Sequence, residues 1–307
     1  MKIVVTGATG FIGSRLVERL QAEGHTVVVL TRSPARAHRI FPAQAFPKVE
    51  VVSYDPMALG DWQQALVGCD GVVNLAGAPI ADQRWTREYK QEILNSRQGA
   101  TRTLVAAIAN ANPRPSVLVS ASAIGYYGTS ETATFEETSP AGTDFLAEVC
   151  QEWEAAAQEV TRAGVRLVIT RIGIVVGNGG AIAKMLMPFR LFIGGPLGKG
   201  SQWFSWIHRD DLAGLILMAL SRPDISGVLN ATAPNPVRMT ELCQTLGTLL
   251  QRPSWLPVPA FALELLLGDA AKLVLEGQKV IPKRAQELGF QYQYPTIADA
   301  LAQVIQE

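Results

Sequence analysis

Three glycines, Gly7, Gly10 and Gly13, follow one another at intervals of three residues near the start of the chain. An apolar run precedes them and an amphipathic stretch follows, which is typical of a strand, a loop and a helix in succession. Such a turn suits a dinucleotide pyrophosphate, because backbone N–H groups approach the phosphates and the helix packs closely on the strand. The pattern therefore predicts a nucleotide-cofactor site, to which we assign Gly7, Thr9, Gly10, Phe11, Ile12 and Gly13.

The end of the second predicted strand, residues 26–31, indicates which dinucleotide binds. Folds that select NAD usually carry a carboxylate there, on the ribose 2′-hydroxyl. Arg32 follows this strand instead, and its charge and planar set of donors suit a 2′-phosphate. We therefore predict NADP(H); a solvated surface arginine is the alternative. Asp55, after the third strand, is assigned to the adenine amino group, or alternatively caps a turn with Pro56.

Strands and helices alternate through the first half of the chain. Short β-branched runs predict strands at residues 2–6, 26–31, 49–53, 71–75, 115–120 and 165–171. Helices are predicted between them, at residues 11–23, 61–67, 86–110 and 144–163. Repeated β-α-β units of this length indicate an α/β fold with a doubly wound parallel sheet, the Rossmann fold, and right-handed crossovers.

The pattern changes after residue 171. Residues 173–202 are rich in glycine and apolar side chains, and we expect this wall segment, with a helix near 181–191, to cover the strand ends where such folds bind ligands. A strand, a helix and a strand follow at 203–208, 209–220 and 227–231, and further helices are predicted at 239–250, 260–275, 282–287 and 296–306. We expect a Rossmann domain over residues 1–232 and a small, mostly helical domain over residues 233–307.

The bulk composition limits the possible partners. The 27 Lys and Arg residues balance the 27 Asp and Glu residues, so no global charge favours nucleic acid or an acidic membrane surface. No apolar run approaches the ~20 residues of a membrane span. The first strand starts at residue 2, so we expect no targeting peptide. Three widely spaced cysteines without metal-ligand spacing favour a reducing compartment, and we expect a cytoplasmic protein without a metal site.

Further motifs resemble those of the extended short-chain dehydrogenases/reductases, the class of nucleoside-diphosphate-sugar epimerases and dehydratases. The resembling segments are residues 70–77, Asn95 with Gly99 and Thr101, and residues 171–177 and 207–212. The first of these motifs lines the ribose side of the cofactor in that family, which implies contacts from Leu75, Ala76 and Gly77. An atypical branch, whose members are labelled sugar-nucleotide epimerases or cell-division inhibitors, is resembled by residues 120–128, 145–150 with Trp153 and Glu154, 256–261, 275–280 and 282–284.

The chain departs from this family in its catalytic residues. Related reductases use a Ser, a Tyr and a Lys four residues after the Tyr; the Tyr transfers the proton, while the Lys lowers its pKa and holds the nicotinamide ribose. Ser122 falls at the position of the serine, but the helix over residues 144–163 contains neither partner, and no YxxxK occurs in the sequence. The residues at those positions are Leu146 and Cys150, or Phe145 and Val149.

Other side chains are candidates for the missing chemistry. Ser122 is predicted to polarise the reacting oxygen and Tyr126 to supply a phenol near the nicotinamide, with aromatic packing as the alternative for Tyr126 and Tyr127. Cys150 is a candidate nucleophile or, alternatively, a buried apolar residue, and Glu137 is a candidate acid or base or a solvated charge. On the substrate side we assign Tyr127, Lys199 and His208, for which packing and surface charge are the alternatives.

Two functions follow from these residues. The first is an NADP(H)-dependent epimerase or oxidoreductase that acts on a carbonyl or hydroxyl of a small molecule, such as a nucleotide sugar. The second is a catalytically weak, NADPH-binding regulatory protein, favoured by the missing Tyr and Lys. The apolar stretch over residues 261–267 would then serve a homodimer or a protein partner.

Overall fold

A seven-stranded parallel sheet forms the centre of the molecule, for which the computed structural model describes residues 1–306. The strands are β1 (Lys2–Thr6), β2 (Thr26–Thr31), β3 (Val49–Ser53), β4 (Gly71–Asn74), β5 (Val117–Ala123), β6 (Thr134–Phe135), β7 (Arg166–Ile172), β8 (Ile174–Val176), β9 (Trp203–Phe204), β10 (Trp206–His208), β11 (Gly227–Ala231), β12 (Val237–Arg238) and β13 (Lys279–Val280). The order in the large sheet is β11-β7-β5-β4-β1-β2-β3, which confirms the predicted doubly wound topology.

Helices connect the strands and cover both faces of the sheet. They are α1 (Phe11–Ala22), α2 (Pro34–Ile40), α3 (Arg87–Asn110), α4 (Phe145–Gln158), α5 (Gly180–Arg190), α6 (Arg209–Ser221), α7 (Met239–Leu250), α8 (Ala260–Leu267), α9 (Lys272–Leu275), α10 (Lys283–Glu287) and α11 (Ile297–Gln306). Short 3-10 helices lie at Asp61–Leu66, Ile124–Tyr127, Glu159–Ala163 and Gly268–Ala271. Within residues 1–306, none of the helices has the length and apolar character that a membrane crossing needs.

Alternate residues of each central strand enter different cores. In β1, Ile3 and Val5 pack with the inner faces of α1 and α6, while Val4 points to the opposite side and packs with α3 and α4. A parallel strand between two helical layers is apolar on both sides, which explains the continuous β-branched runs of the sequence. These cores fix the carboxyl ends of the strands, where the predicted site residues lie.

The wall segment joins the last part of the chain in a third core. Ile182 and Phe189 of α5 are fully buried and share this core with Leu242 of α7 and Leu301 of α11. The sequence predicts all three helices within one or two residues of their observed ends. Packing from α7 and α11 therefore holds α5 in position beside the sheet.

Four predicted elements differ from the structure. The helix predicted over residues 61–67 is a 3-10 helix, and the one predicted over residues 144–163 ends as α4 at Gln158 and continues as a 3-10 helix. Residues 203–208 form two short strands, because at Ser205 the chain leaves β9, which pairs with β12, and enters β10, which pairs with β8. Residues 260–275 are broken into α8, a 3-10 turn and α9, because Gly268 adopts a φ of 59° at the end of α8. A residue with positive φ cannot continue an α-helix, and glycine adopts this conformation without steric cost.

Candidate functional site

The glycine loop between β1 and α1 is packed against backbone rather than side chains. Gly7 has a φ of 68°, and a Cβ on it would lie 2.7 Å from the carbonyl group of Leu75. A Cβ on Gly13 would lie 2.3 Å from the Gly7 carbonyl oxygen. Neither position accepts a side chain unless the backbone moves, so the loop lies directly against the segment that follows β4.

The amino terminus of α1 has no side-chain cap. Gly10 is the N-cap residue without a side-chain hydrogen bond, and the first turn contains no acidic side chain. The free N–H groups and the positive end of the helix dipole are therefore available to an anion. Thr9 and Ile12 flank this position, and the Phe11 ring packs against the wall, where a Cβ on Gly179 would lie 2.9 Å from it. The cradle fits a dinucleotide pyrophosphate.

Arg32 lies at the carboxyl end of β2, as predicted, and is exposed. Its side chain has no hydrogen-bond or ion-pair partner among residues 1–306. Arg32 lies near Tyr54. Burial raises the pKa of the Tyr54 phenol to about 12, and the positive charge of Arg32 acts against this rise. Asp55 is also exposed, but its Oδ1 accepts a hydrogen bond from the Met57 amide at 2.8 Å, as the turn-capping alternative requires.

A buried hydrogen-bond network fixes the strands below the loop. The Thr6 hydroxyl donates to Asn74 Oδ1 at 2.8 Å, and Asn74 Nδ2 donates to Thr101 Oγ1 at 2.9 Å and to Ser120 Oγ at 3.3 Å. Trp153 Nε1 also donates to Thr101 Oγ1, at 3.0 Å. The network ties β1, β4 and β5 to α3 and α4, so Leu75, Ala76 and Gly77 leave β4 from a fixed position.

Ser122, the predicted polarising residue, is 2% exposed and donates to Glu154 Oε1 at 2.6 Å. Glu154 in turn accepts two hydrogen bonds from Arg171, from Nε and from one terminal nitrogen, both at 2.8 Å. Burial alone lowers the pKa of Arg171, but its bonds to Glu154 outweigh burial and raise it, so the guanidinium stays charged. The Ser122 proton is thus bound by a buried ion pair, and Ser122 can donate to a substrate only by releasing Glu154.

The two tyrosines after Ser122 have different surroundings. Tyr127 is 4% exposed; its hydroxyl donates to Asn230 Oδ1 at 2.6 Å and accepts from Arg171 at 3.0 Å, and burial raises its pKa. Tyr126 is partly exposed and stacks under the Arg171 guanidinium, 3.3 Å from its ring centroid. The Tyr126 hydroxyl has no hydrogen-bond partner among residues 1–306, so it remains available to a ligand.

Three other candidates have surroundings that bear on their predicted roles. Cys150 Sγ donates to the Ala123 carbonyl at 3.6 Å, and burial raises its pKa to about 11, so the thiolate that a nucleophile needs is scarce at neutral pH. Glu137 is 8% exposed rather than solvated, and its Oε1 accepts from the amides of Asn230 and Arg284. Lys199 is exposed on the wall, without a side-chain partner among residues 1–306.

His208 is part of a helix cap. It is 1% exposed, its Nδ1 accepts from the Asp210 amide at the start of α6, and its Nε2 lies 3.0 Å from Gln303 Oε1. Because protein groups engage both ring nitrogens, these contacts give the predicted substrate role no support. The sequence motif that contains His208 is explained by the cap that it forms.

The stability of the protein is expected to fall as the pH drops from about 7 to about 5, in part through His208. Burial lowers the pKa of His208, so the unfolded chain takes up the proton first, and unfolding becomes easier as the pH falls through the unfolded-state pKa. An H208N variant can still cap the helix but does not titrate. Urea unfolding at both pH values should show a smaller pH dependence for H208N than for wild type. H38N, at an exposed histidine, is the control, and an equal pH dependence in wild type and H208N would contradict the prediction.

Comparisons with known proteins agree with this geometry. Residues 3–231 match the model of the NAD dependent epimerase/dehydratase family, and residues 258–304 match a domain of unknown function, DUF1731. The chain is 54% identical to the epimerase family protein SDR39U1 homolog, chloroplastic, of Arabidopsis thaliana, over 100% of this chain and 87% of the relative. The structure of human epimerase family protein SDR39U1 with NADPH superimposes with a TM-score of 0.89 at 37% identity, covering 100% of both chains. The nucleoside-diphosphate sugar epimerase of Corynebacterium glutamicum has a TM-score of 0.79 at 30% identity, covering 99% of this chain and 58% of that one.

Proposed function

Because this chain belongs to the NAD dependent epimerase/dehydratase family, we propose that it binds NADP(H) and acts as an epimerase or oxidoreductase on a nucleotide-sugar-like small molecule. The observation that carries the proposal is the glycine-lined, uncapped amino terminus of α1 together with Arg32 at the end of β2, whose side chain has no partner among residues 1–306. The human relative crystallised with NADPH supports the cofactor, and the name of the Corynebacterium relative supports the substrate class.

The residues of the site would divide the work as follows. The first turn of α1 holds the diphosphate, Arg32 the 2′-phosphate, and Leu75, Ala76 and Gly77 line the ribose side. The bound cofactor supplies a hydride donor or acceptor at its nicotinamide. The Tyr126 hydroxyl, which has no partner in the described part of the chain, can give or take a proton at a carbonyl or hydroxyl of the substrate, and Arg171 fixes its ring by stacking. Ser122 can polarise the same oxygen once its proton leaves Glu154.

The choice of cofactor is tested by an R32A variant. We expect its dissociation constant for NADPH to rise about 10- to 100-fold, because a charged hydrogen bond to the 2′-phosphate is lost, and its affinity for NADH to stay within about twofold. The measurement is a fluorescence titration of each cofactor. R39A, which removes another exposed arginine at the end of α2, should leave both affinities unchanged. An equal loss of NADPH and NADH affinity in R32A would assign Arg32 a role other than phosphate binding.

Catalysis is tested by incubating the protein with nucleotide sugars and following both the NADPH absorbance and the sugar products. Product analysis is needed because an epimerase returns its hydride and leaves no net absorbance change. Turnover of a sugar nucleotide supports the proposal. Complete absence of turnover, with NADPH binding intact, would contradict the enzymatic function and leave the cofactor assignment standing.

The surface of α8 favours a second function. No residue of this helix is buried, and Phe261, Leu265 and Leu266 are 70%, 75% and 67% exposed. An apolar surface of this kind is typical of a site that binds another protein or a second copy of the chain. The protein would then be an NADPH-binding regulator, and pull-down experiments with and without NADPH test this. A set of captured proteins that does not respond to NADPH would contradict it.

We also propose that the protein works in the cytoplasm. Cys69, Cys150 and Cys243 are free thiols, which suits a reducing compartment. Cell fractionation tests the location.

We propose, finally, that the cofactor domain spans residues 1–232 and is followed by a helical domain over residues 233–307. Limited proteolysis tests this division, because the first cleavage should then occur near residue 233.

A further inference from the structure

The sheet-facing side of α3 contains an unexpected charge. Tyr89, Ile93, Arg97 and Thr101 follow at intervals of four and lie on one side of the helix, and the other three are buried. Thr101 bonds to Asn74 in β4, so Arg97, one turn earlier, is directed at the segment that leaves the carboxyl end of β4. A guanidinium on the sheet-facing side of a helix needs an anionic or hydrogen-bonding partner, because burying an unpaired charge costs free energy.

The contacts of Arg97 place it against the predicted ribose-binding segment. A Cβ on Gly77 would lie 3.1 Å from the guanidinium carbon. One terminal nitrogen donates to the Ala78 carbonyl at 3.0 Å and the other to the Ile93 carbonyl at 3.1 Å. These bonds fix the orientation of the guanidinium but use two of its five N–H donors.

No carboxylate neutralises this charge: Arg97 forms no ion pair among residues 1–306. Burial lowers the pKa of Arg97, because no carboxylate is close enough to offset its desolvation. By contrast, the buried Arg171 forms an ion pair with Glu154. The remaining donors of Arg97 are therefore available to a ligand.

Arg97 also faces the turn of α4 from which the usual lysine is missing. Its guanidinium carbon lies 5.3 Å from the Trp153 ring centroid, one turn beyond Cys150. Cys150, or alternatively Val149, stands at the lysine position, and the charge of Arg97 opposes the rise in the pKa of Cys150 that burial causes. A cation from α3 thus lies beside the position that a cation on α4 would occupy.

We propose that Arg97 replaces the missing lysine: from α3, it donates hydrogen bonds to the nicotinamide-side ribose hydroxyls of the cofactor and places a positive charge beside the reacting oxygen. The inference rests on the proposed NADP(H) function and adds to it a cofactor-binding residue. Arginine suits the role because its fixed fork can keep two backbone bonds while other N–H groups face the ribose.

The test compares two ligands that differ in the nicotinamide half. NADPH contains the ribose that Arg97 would bind, whereas adenosine 2′,5′-bisphosphate contains only the adenosine half. We expect R97M to raise the dissociation constant for NADPH about 10- to 100-fold and to leave that for the bisphosphate within about twofold. R97K should recover part of the NADPH affinity. R102M, on the exposed side of α3, is the matched control and should change neither value.

The outcomes separate the possible failures. If wild type binds NADPH and folded R97M binds it equally well, the inference is overturned while the proposed function stands. An equal loss of both ligands in R97M would also overturn it, because a general distortion of the site would explain that loss. If wild type does not bind NADPH, the proposed function fails and the inference fails with it. Should R97M not fold, R97Q gives the same comparison.

Discussion

Replacing Arg171 by methionine is expected to lower the free energy of unfolding by about 3–5 kcal/mol. The Arg171 and Glu154 side chains are only 4% and 11% exposed, so the substitution leaves a buried carboxylate whose remaining side-chain donor is Ser122. The Tyr127 hydroxyl loses a donor as well. Urea unfolding of R171M and wild type at neutral pH measures the difference.

Two further variants test whether the loss of stability in R171M comes from the burial of its ion pair. R162M removes an arginine that pairs with Glu159 on the surface, with side chains 79% and 47% exposed, and should cost less than about 1 kcal/mol. The double variant E154Q/R171M should be more stable than R171M, because no unpaired charge stays buried. If R171M lost no more stability than R162M, the pair between β7 and α4 would not be an important contribution to folding.

The same pair shows why part of the site could not be predicted. Glu154 and Arg171 both lie in segments that resemble family motifs, but α4 and β7 bring them together only after the helix packs on the sheet. Tyr127 and Asn230 meet over a separation of 103 residues for the same reason. A sequence shows that such polar residues exist, whereas the partner of each is set by packing across layers.

The glycine loop was predictable because its requirements are local. Strand, loop and helix are adjacent in the chain, and Gly7 and Gly13 contact each other across five intervening residues. The strands were predictable for a related reason, since burial on both faces leaves few residue types for a position such as Val4. Elements ended by distant contacts, such as β9 at Ser205, give no comparable local signal.

The Gly13 position offers the sharpest test of the cofactor site. We expect G13A to weaken NADPH binding at least about 100-fold, a loss of about 2.8 kcal/mol in binding free energy. Its Cβ would lie 2.3 Å from the Gly7 carbonyl oxygen, and the helix must move away from the loop to relieve this contact. The first-turn N–H groups, including that of Gly13 itself, would then leave their positions around the diphosphate.

Thermal unfolding with and without NADPH measures this effect in one experiment. A ligand at 100 times its dissociation constant stabilises a protein by about 2.7 kcal/mol, and a 100-fold weaker ligand at the same concentration stabilises it by only about 0.4 kcal/mol. Wild type should therefore show a clear NADPH-dependent rise in melting temperature, and G13A almost none. G60A is the matched control, since a Cβ there would lie 3.5 Å from the Trp62 ring, an ordinary contact. A full NADPH shift in G13A would mean that the cofactor binds elsewhere, whereas a loss of the shift in G60A as well would point to a general loss of stability.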